Sequence, residues 1–227
     1  MKVEKINAYT AGFKSYLRSR IELHNKYKYE ALQNWHDNWD ISAPDFHTRY
    51  NNSLHSKTSA NLWGGSKDSA KSVMLQFIKE NDQFIRMAFK DLFDEGKDLG
   101  LRWNRFVFHL DDMLIGLQQK DKLTNTHFHD KSMVSVYLSF QYPEKYCIWE
   151  YSNFEKAMRA LESRDIPKDM ETERYYKSLR GIYTLISKDP EFIDILKDLY
   201  RESGLTYLPS LMIMNEWLEY IANHPKI

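Results

Sequence analysis

Two histidines near the middle of the chain have the spacing of metal ligands. His127 and His129 alternate, so both imidazoles would point the same way on a strand, with Asp130 beside them and two aspartates upstream at 111–112. Several metal-dependent hydrolases hold their metal with such an arrangement. The usual H-x-H-x-D-H pattern is incomplete, because Asp130 comes one position early. We therefore expect no metal and no other cofactor, and we assign Asp130 or Ser132 to a loop or a helix N-cap.

A set of carboxylates and a lysine follows at Glu150, Glu155 and Lys156. Restriction nucleases use an acidic residue followed by E-x-K on one short strand to bind Mg²⁺ and activate water, and the spacing here does not fit. The chain also has no G-x-x-x-x-G-K-[ST] motif, since Gly64-Gly65-Ser66-Lys67 lacks the spacing of a phosphate-binding loop. We expect no catalytic residue in this chain, and therefore no enzyme.

Aromatic residues make up 15% of the chain and occur beside cations. Trp63 and Trp103, with Arg102 and Arg105, combine flat rings and guanidinium groups as a base-stacking or flipped-base pocket requires. A second aromatic cluster consists of Tyr142, Tyr146, Trp149 and Tyr151. Because aromatic residues interleaved with apolar ones usually form core, packing is the preferred interpretation. Trp63, Arg102 and Arg105 are kept as candidate DNA contacts.

The N-terminal stretch is basic, with seven Lys or Arg between Lys2 and Lys28 against two Glu. Five of these cations are candidate phosphate contacts: Lys14, Arg18, Arg20, Lys26 and Lys28. A solvated helix face is the ordinary explanation of such a pattern. If it binds DNA, the affinity should fall steeply with salt, because neutralised phosphates release counterions.

Composition limits the other function classes. The 32 basic and 32 acidic side chains cancel, so DNA affinity would have to come from a local patch. The single cysteine, Cys147, excludes an intramolecular disulfide and is expected to be a small buried hydrophobic residue. The sequence has no signal-peptide pattern and no apolar run long enough to span a membrane. We expect a cytoplasmic protein without a membrane partner.

Helical periodicity dominates the chain. The predicted helices are one long or two joined over 8–39, two consecutive from Ser66 and stopped by Gly96, one over Leu101–Leu117, one opened by Asp189-Pro190 and closed by Gly204, and a last one from Pro209. Segments 42–65 and 120–130 are polar and are predicted as surface loops. Length favours a single domain over 1–227, with 42–65 as the alternative boundary.

The segment Ser132–Met158 contains an apolar run, a Tyr-Pro turn and an amphipathic helix. The run fits a strand and a helix equally well, and Pro143 ends either one. Ser152 and Glu155 predict a capping box that opens the next helix. The predicted fold class is mainly α, a compact multi-helix domain, with a minor strand or hairpin near Val134–Trp149 left open.

The same segment resembles the N-terminal recognition regions of McrB-type restriction ATPases, over about 25 of the 227 residues. The matching residues are Tyr142, Pro143, Glu144, Lys145, Tyr146, Tyr151, Ser152 and Phe154. The resemblance implies a DNA-recognition module of a restriction or antiviral system. Its partners would be DNA, modified or unmodified, an ATPase motor domain or subunit, and a nuclease subunit. The alternative is a protein–protein interaction or assembly module, which the balanced charge supports equally well.

Overall fold

All regular secondary structure is helical in the part that the computed structural model describes, which comprises residues 1–55, 59–63, 69–120 and 125–225. These residues form ten α-helices, one 3₁₀ helix at Ser59–Leu62 and no strand. The α-helices are α1 Val3–Arg18, α2 Lys26–Asn38, α3 Phe46–Ser53, α4 Ala70–Leu92, α5 Leu99–Lys120, α6 Lys131–Gln141, α7 Tyr151–Ala160, α8 Thr172–Ile186, α9 Pro190–Glu202 and α10 Ile213–Asn223. The mainly α prediction is confirmed. Among the described helices, none is both long and apolar enough to cross a bilayer.

Contacts between Cα atoms divide the chain into two compact units. Unit 1 comprises Met1–Lys26 and Tyr142–Ile227, and unit 2 comprises Tyr27–Gln141. Unit 1 contains α1 and α7 to α10, and unit 2 contains α3 to α6 with all but the first residue of α2. The described part of 42–65 lies inside unit 2. The single domain predicted from length stays a prediction.

Helix α4 is two helical segments joined at a kink, as the sequence predicted. Asn81 interrupts it with φ −154° and ψ 82°. The Asn81 side chain accepts a hydrogen bond from the backbone N–H of Phe84 at 3.1 Å, which starts the second segment as an N-cap does. The helix begins after Ser69, whose side chain forms a capping box with Ser72. It ends at Leu92, ahead of Gly96.

The prediction of a surface loop over 42–65 is wrong, because α3 lies within it. Asp45 caps this helix by accepting a hydrogen bond from the backbone N–H of Thr48 at 2.9 Å. Phe46 and Tyr50, four residues apart, are fully buried, and their rings lie 6.3 and 6.2 Å from that of Phe89. Two large aromatic side chains on one helical face supply enough apolar area to dock a polar eight-residue segment. The double glycine at 64–65 lies outside the described residues.

The strand alternative near Val134–Trp149 is also wrong. Residues 131–141 form α6, and 142–150 contain a turn and irregular backbone. Every side chain from Met133 to Phe140 is buried. A helix buried on all sides has no polar face, so its sequence lacks the periodicity that distinguishes helix from strand.

Two helix starts in unit 1 differ from the sequence prediction. Helix α7 begins directly after Glu150, earlier than predicted, and has no side-chain cap, so the capping box at Ser152 and Glu155 is wrong. Tertiary hydrogen bonds hold this start: Trp149 Nε1 donates to Asp169 at 3.2 Å, and the Tyr151 hydroxyl donates to the Pro167 carbonyl at 2.9 Å.

The last helix, α10, begins at Ile213 and not at Pro209. The backbone N–H of Leu211 donates to the Pro143 carbonyl at 2.6 Å. The stretch that precedes the first helical residue is therefore bonded to another segment of unit 1.

Helix α9 follows the prediction at both ends. Asp189 is its N-cap, Pro190 is its first residue, and Gly204 follows its end with φ +72°. Ile193, which belongs to the apolar side of this helix, is only half-buried. Helix α8 was not predicted, although its buried residues have helical spacing: Tyr175, Tyr176, Leu179, Ile182 and Ile186.

Candidate functional site

The histidine pair of unit 2 belongs to a buried hydrogen-bond network. His127 Nδ1 accepts from the backbone N–H of His129 at 3.0 Å, which leaves the proton on His127 Nε2 facing Asp111 Oδ1 at 3.1 Å. His129 Nδ1 donates to the His127 carbonyl at 2.6 Å, so its Nε2 accepts from the Tyr137 hydroxyl at 3.0 Å. Tyr137 in turn accepts from the Tyr50 hydroxyl at 2.6 Å. The network orders 127–130, where Asp130 caps α6 as predicted by accepting from the backbone N–H of Met133.

His129 is held neutral in this network. Burial, and to a lesser extent the neighbouring His127, lower its pKa to about 3. A buried, neutral imidazole whose two nitrogens both have protein partners supports the fold and does not face a substrate. Within the described part of the chain, no three His, Cys, Asp or Glu side chains converge as metal ligands would.

The two carboxylates of the nuclease-like set also have other contacts or structural positions. Glu150 is the N-cap residue of α7, and Glu155 forms an exposed ion pair with Arg159 at 2.6 Å. The set therefore does not form a convergent acidic site.

The first basic candidates are paired with carboxylates of α9 and its N-cap. Lys14 Nζ donates to Asp189 Oδ2 at 2.6 Å and also bonds Glu191, which bonds Arg18 as well. The hydrogen bonds to Asp189 and Glu191 raise the pKa of Lys14, and those from Lys14 lower the pKa of both carboxyl groups. Lys14 is largely buried and is neutralised within unit 1, whereas the pair between Arg18 and Glu191 is exposed and therefore weak.

The other basic candidates do not add a continuous basic surface beside Lys14 and Arg18. Arg20 lies 4.9 Å from the centroid of the Tyr16 ring and 2.9 Å from His24 Nδ1. Lys26 forms an ion pair with Glu22 at 3.5 Å. Lys28 belongs to unit 2 and is buried.

Two of the aromatic and arginine candidates are buried in unit 2. Arg102 is 2% exposed, donates to the Leu92 carbonyl at 2.7 Å and pairs with Glu95, so it closes the C-terminal end of α4. Trp63 is 7% exposed and presents no free face for base stacking. Arg105 is exposed, with a long contact of 3.8 Å to Asp91.

The second aromatic cluster packs within unit 1 as preferred, with Tyr146 and Trp149 buried and Tyr142 and Tyr151 half-buried. Trp149 lies 4.2 Å from Tyr175, and Tyr146 lies 5.0 Å from Tyr176, measured between ring centroids. The Tyr176 hydroxyl donates to the carbonyl of Cys147, whose side chain is fully buried, as predicted. Tyr146 and Phe154, two residues of the McrB-like pattern, therefore contact the aromatic face of α8.

A groove of about 560 Å³ opens in unit 1 where the end of α1 meets α9. Leu17 and Leu199 form a buried apolar floor, with half-buried Ile195 beside them. Ile21 stands at the rim and is 88% exposed. The four carboxylates of the groove all belong to α9: Glu191, Asp194, Asp198 and Glu202.

The groove carries more negative than positive charge. Its four carboxylates face two cations of the lining, Arg18 and Arg20, and Arg18 is paired with Glu191. Asp194 and Asp198 form ion pairs along α9 itself, at 3.6 Å to Lys197 and 2.9 Å to Arg201. Such exposed pairs are weak, so these carboxylates are available to a ligand. The sequence does not show that the carboxylates of α9 lie beside the end of α1, so this site is visible only in the fold.

Comparison with known proteins gives no match: no family model, no curated protein and no solved structure is similar to this chain.

Proposed function

We propose that this chain is a protein-interaction module whose groove between α1 and α9 binds a basic, apolar helical segment of a partner protein. The observation that supports this proposal is the groove, because it combines an apolar floor with a row of carboxylates along one side.

The chemistry of the groove defines the occupant. Ile21 and Ile195, the apolar residues of the lining that are exposed or half-buried, would contact apolar residues on one face of a helix. Asp194, Asp198 and Glu202 follow one another at intervals of four residues along α9, so they would meet Lys or Arg at the same spacing. Burial of the apolar face supplies affinity, and the charges set orientation and association rate.

Target recognition on DNA within a McrB-like restriction system is the competing proposal. It needs cations that are free to meet phosphates. Lys14 is largely buried and bonds to Asp189 and Glu191, and Lys28 and Arg102 are buried, so these three basic candidates are not free to meet phosphates. This pairing favours the protein partner.

A labelled helical peptide of Leu and Lys, with Leu along one face, tests the proposal by fluorescence anisotropy. The same peptide with Glu in place of Lys is the ligand control. We expect the Lys peptide to bind and the Glu peptide not to bind. The double variant Asp194→Lys/Asp198→Lys should weaken binding by at least about tenfold, which corresponds to about 1.4 kcal/mol.

The matched protein control is Glu155→Lys/Glu173→Lys, which changes the net charge equally on α7 and α8, outside the groove. It should bind the Lys peptide as the parent does. An equal loss in both double variants would show a nonspecific charge effect and overturn the proposal. Tight binding of duplex oligonucleotide without peptide binding would favour DNA recognition.

A further inference from the structure

Helix α5 carries a second apolar stripe that faces solvent. Leu101, Phe108 and Ile115 are 47%, 61% and 55% exposed. The core of unit 2 uses a different face of the same helix, which includes buried Trp103, Phe106, Leu110 and Leu117. The three exposed side chains are therefore not needed for the core.

The exposed residues are seven apart, which places them on one narrow line along the helix. With a rise of 1.5 Å per residue, the line from Leu101 to Ile115 is about 21 Å long. A repeat of seven is the spacing with which one helix meets another helix over several turns.

A positive and a negative side chain, Arg105 and Asp112, lie along the same edge of this stripe. Arg105 and Asp112 are also seven apart, one before and one after Phe108, and both are exposed. Asn104 and Asp111 occupy the other flank, where Asp111 bonds His127 at 3.1 Å.

We infer that α5 pairs antiparallel with α5 of a second copy of this chain, about a twofold axis beside Phe108. Reversal of the helix about Phe108 places Leu101 of one copy against Ile115 of the other. It also places Arg105 of each copy beside Asp112 of the other, because both residues lie on the same flank. The surface is thus self-complementary, as a twofold interface requires.

Charge also selects the orientation. In a parallel pair, each residue lies at the same height along the axis as its equivalent in the other copy, and the Arg105–Asp112 flank of one helix faces the Asn104–Asp111 flank of the other. Asp112 of one copy would therefore lie beside Asp111 of the other. Like charges in that position repel. The antiparallel pair replaces this repulsion with two Arg105–Asp112 contacts.

This interface lies on unit 2 and does not depend on the proposed groove in unit 1. A contact along one helix is small beside the roughly 1,200–2,000 Å² that stable complexes bury, so we expect a weak dimer.

Sedimentation velocity of the full chain over the micromolar range measures the association. The parent should shift from monomer to dimer as concentration rises, and Phe108→Asp should stay monomeric. The control is Met170→Asp, which places the same charge on an exposed apolar residue of unit 1 and should dimerise as the parent does. Circular dichroism of each variant checks that the helices are retained.

A charge exchange tests the register. Arg105→Glu alone and Asp112→Arg alone should each weaken dimerisation, because each places like charges together twice. Mixed in equal amounts, the two variants should form a heterodimer, since both contacts are then between opposite charges. This recovery also shows that both variants are folded.

Three results would overturn the inference. They are a parent that stays monomeric at every concentration, a dimer that survives Phe108→Asp, and a mixture of the charge variants that associates no better than either alone.

Discussion

The hydroxyl groups of Tyr50 and Tyr137 lie 2.6 Å apart in the buried network of unit 2. Tyr137 is the central member, since its hydroxyl also lies 3.0 Å from His129 Nε2. Burial raises the pKa of both tyrosines, so both hydroxyl groups keep their protons. This network joins α3 and α6 to the segment that precedes α6.

Removal of the central hydroxyl should cost more than removal of the terminal one. Tyr137→Phe leaves His129 Nε2 and the Tyr50 hydroxyl without partners, at roughly 1–3 kcal/mol for each buried group. Tyr50→Phe leaves Tyr137 still donating to His129 and should cost about 1 kcal/mol. Urea unfolding of both single variants and the double variant measures these values. Equal losses in the two single variants would contradict a chain in which Tyr50 donates to Tyr137 and Tyr137 donates to His129.

Acid should destabilise the fold through His129. Its pKa is lowered from 6.5 to about 3 in the folded protein, so the unfolded chain binds a proton in this interval that the folded chain does not. The free energy of unfolding should therefore fall as pH falls from about 6.5 toward 3, by up to about 1.4 kcal/mol per pH unit from this group. Above pH 6.5 this contribution is fully present.

The variant His129→Gln separates this contribution from that of the acidic residues, because its amide can accept from Tyr137 without titrating. We expect a shallower loss of stability with acid than in the parent, measured by urea unfolding at several pH values. Parallel curves for parent and variant would assign the acid sensitivity to other groups.

Truncation to alanine should reduce stability by different amounts at Leu138 and Ile193, although both residues are apolar and lie in helices. Leu138 is fully buried in α6, and Leu138→Ala should cost about 2–5 kcal/mol, since it removes packed methyl groups and leaves a cavity. Ile193 is half-buried, so Ile193→Ala should cost clearly less. Thermal unfolding checks both. A melting temperature for Leu138→Ala within a degree of the parent would contradict its place in the core.

Two glycines should respond to alanine with opposite signs. Gly204 has φ +72°, which strains any residue with a Cβ, so Gly204→Ala should destabilise by about 1–2 kcal/mol. Gly181 lies inside α8 with no atom within 4 Å of an added Cβ, so Gly181→Ala should stabilise by about 0.5–1 kcal/mol. Urea unfolding of both variants compares the two signs directly, and a stabilising Gly204→Ala would be the contrary result.

The local signals in the sequence predicted the helices that carry a clear stripe and a clear cap. Helix α9 is the best example, because Asp189, Pro190 and Gly204 define its ends with local chemistry alone. The kinked α4 and the long α5 followed from their apolar spacing. Helix α8 carried the same kind of stripe and could have been predicted.

Local signals failed where contacts distant in sequence decide the structure. The short α3 depends on burial of Phe46 and Tyr50, which its polar sequence does not show. The start of α7 depends on hydrogen bonds from Trp149 and Tyr151 to 167–169, and a pattern of Ser and Glu cannot report them.

The sequence by itself determined that this chain is mainly helical, because helical periodicity and caps are local properties of consecutive residues. Only the tertiary structure decided which of its many charges pair with one another and which apolar side chains face solvent. Lys14 meets Asp189 across 175 residues of sequence, and Leu101, Phe108 and Ile115 turn away from the core although they are as apolar as residues within it. Pairing and exposure depend on which surfaces the packed helices bring together, and so the candidate sites became visible only in the fold.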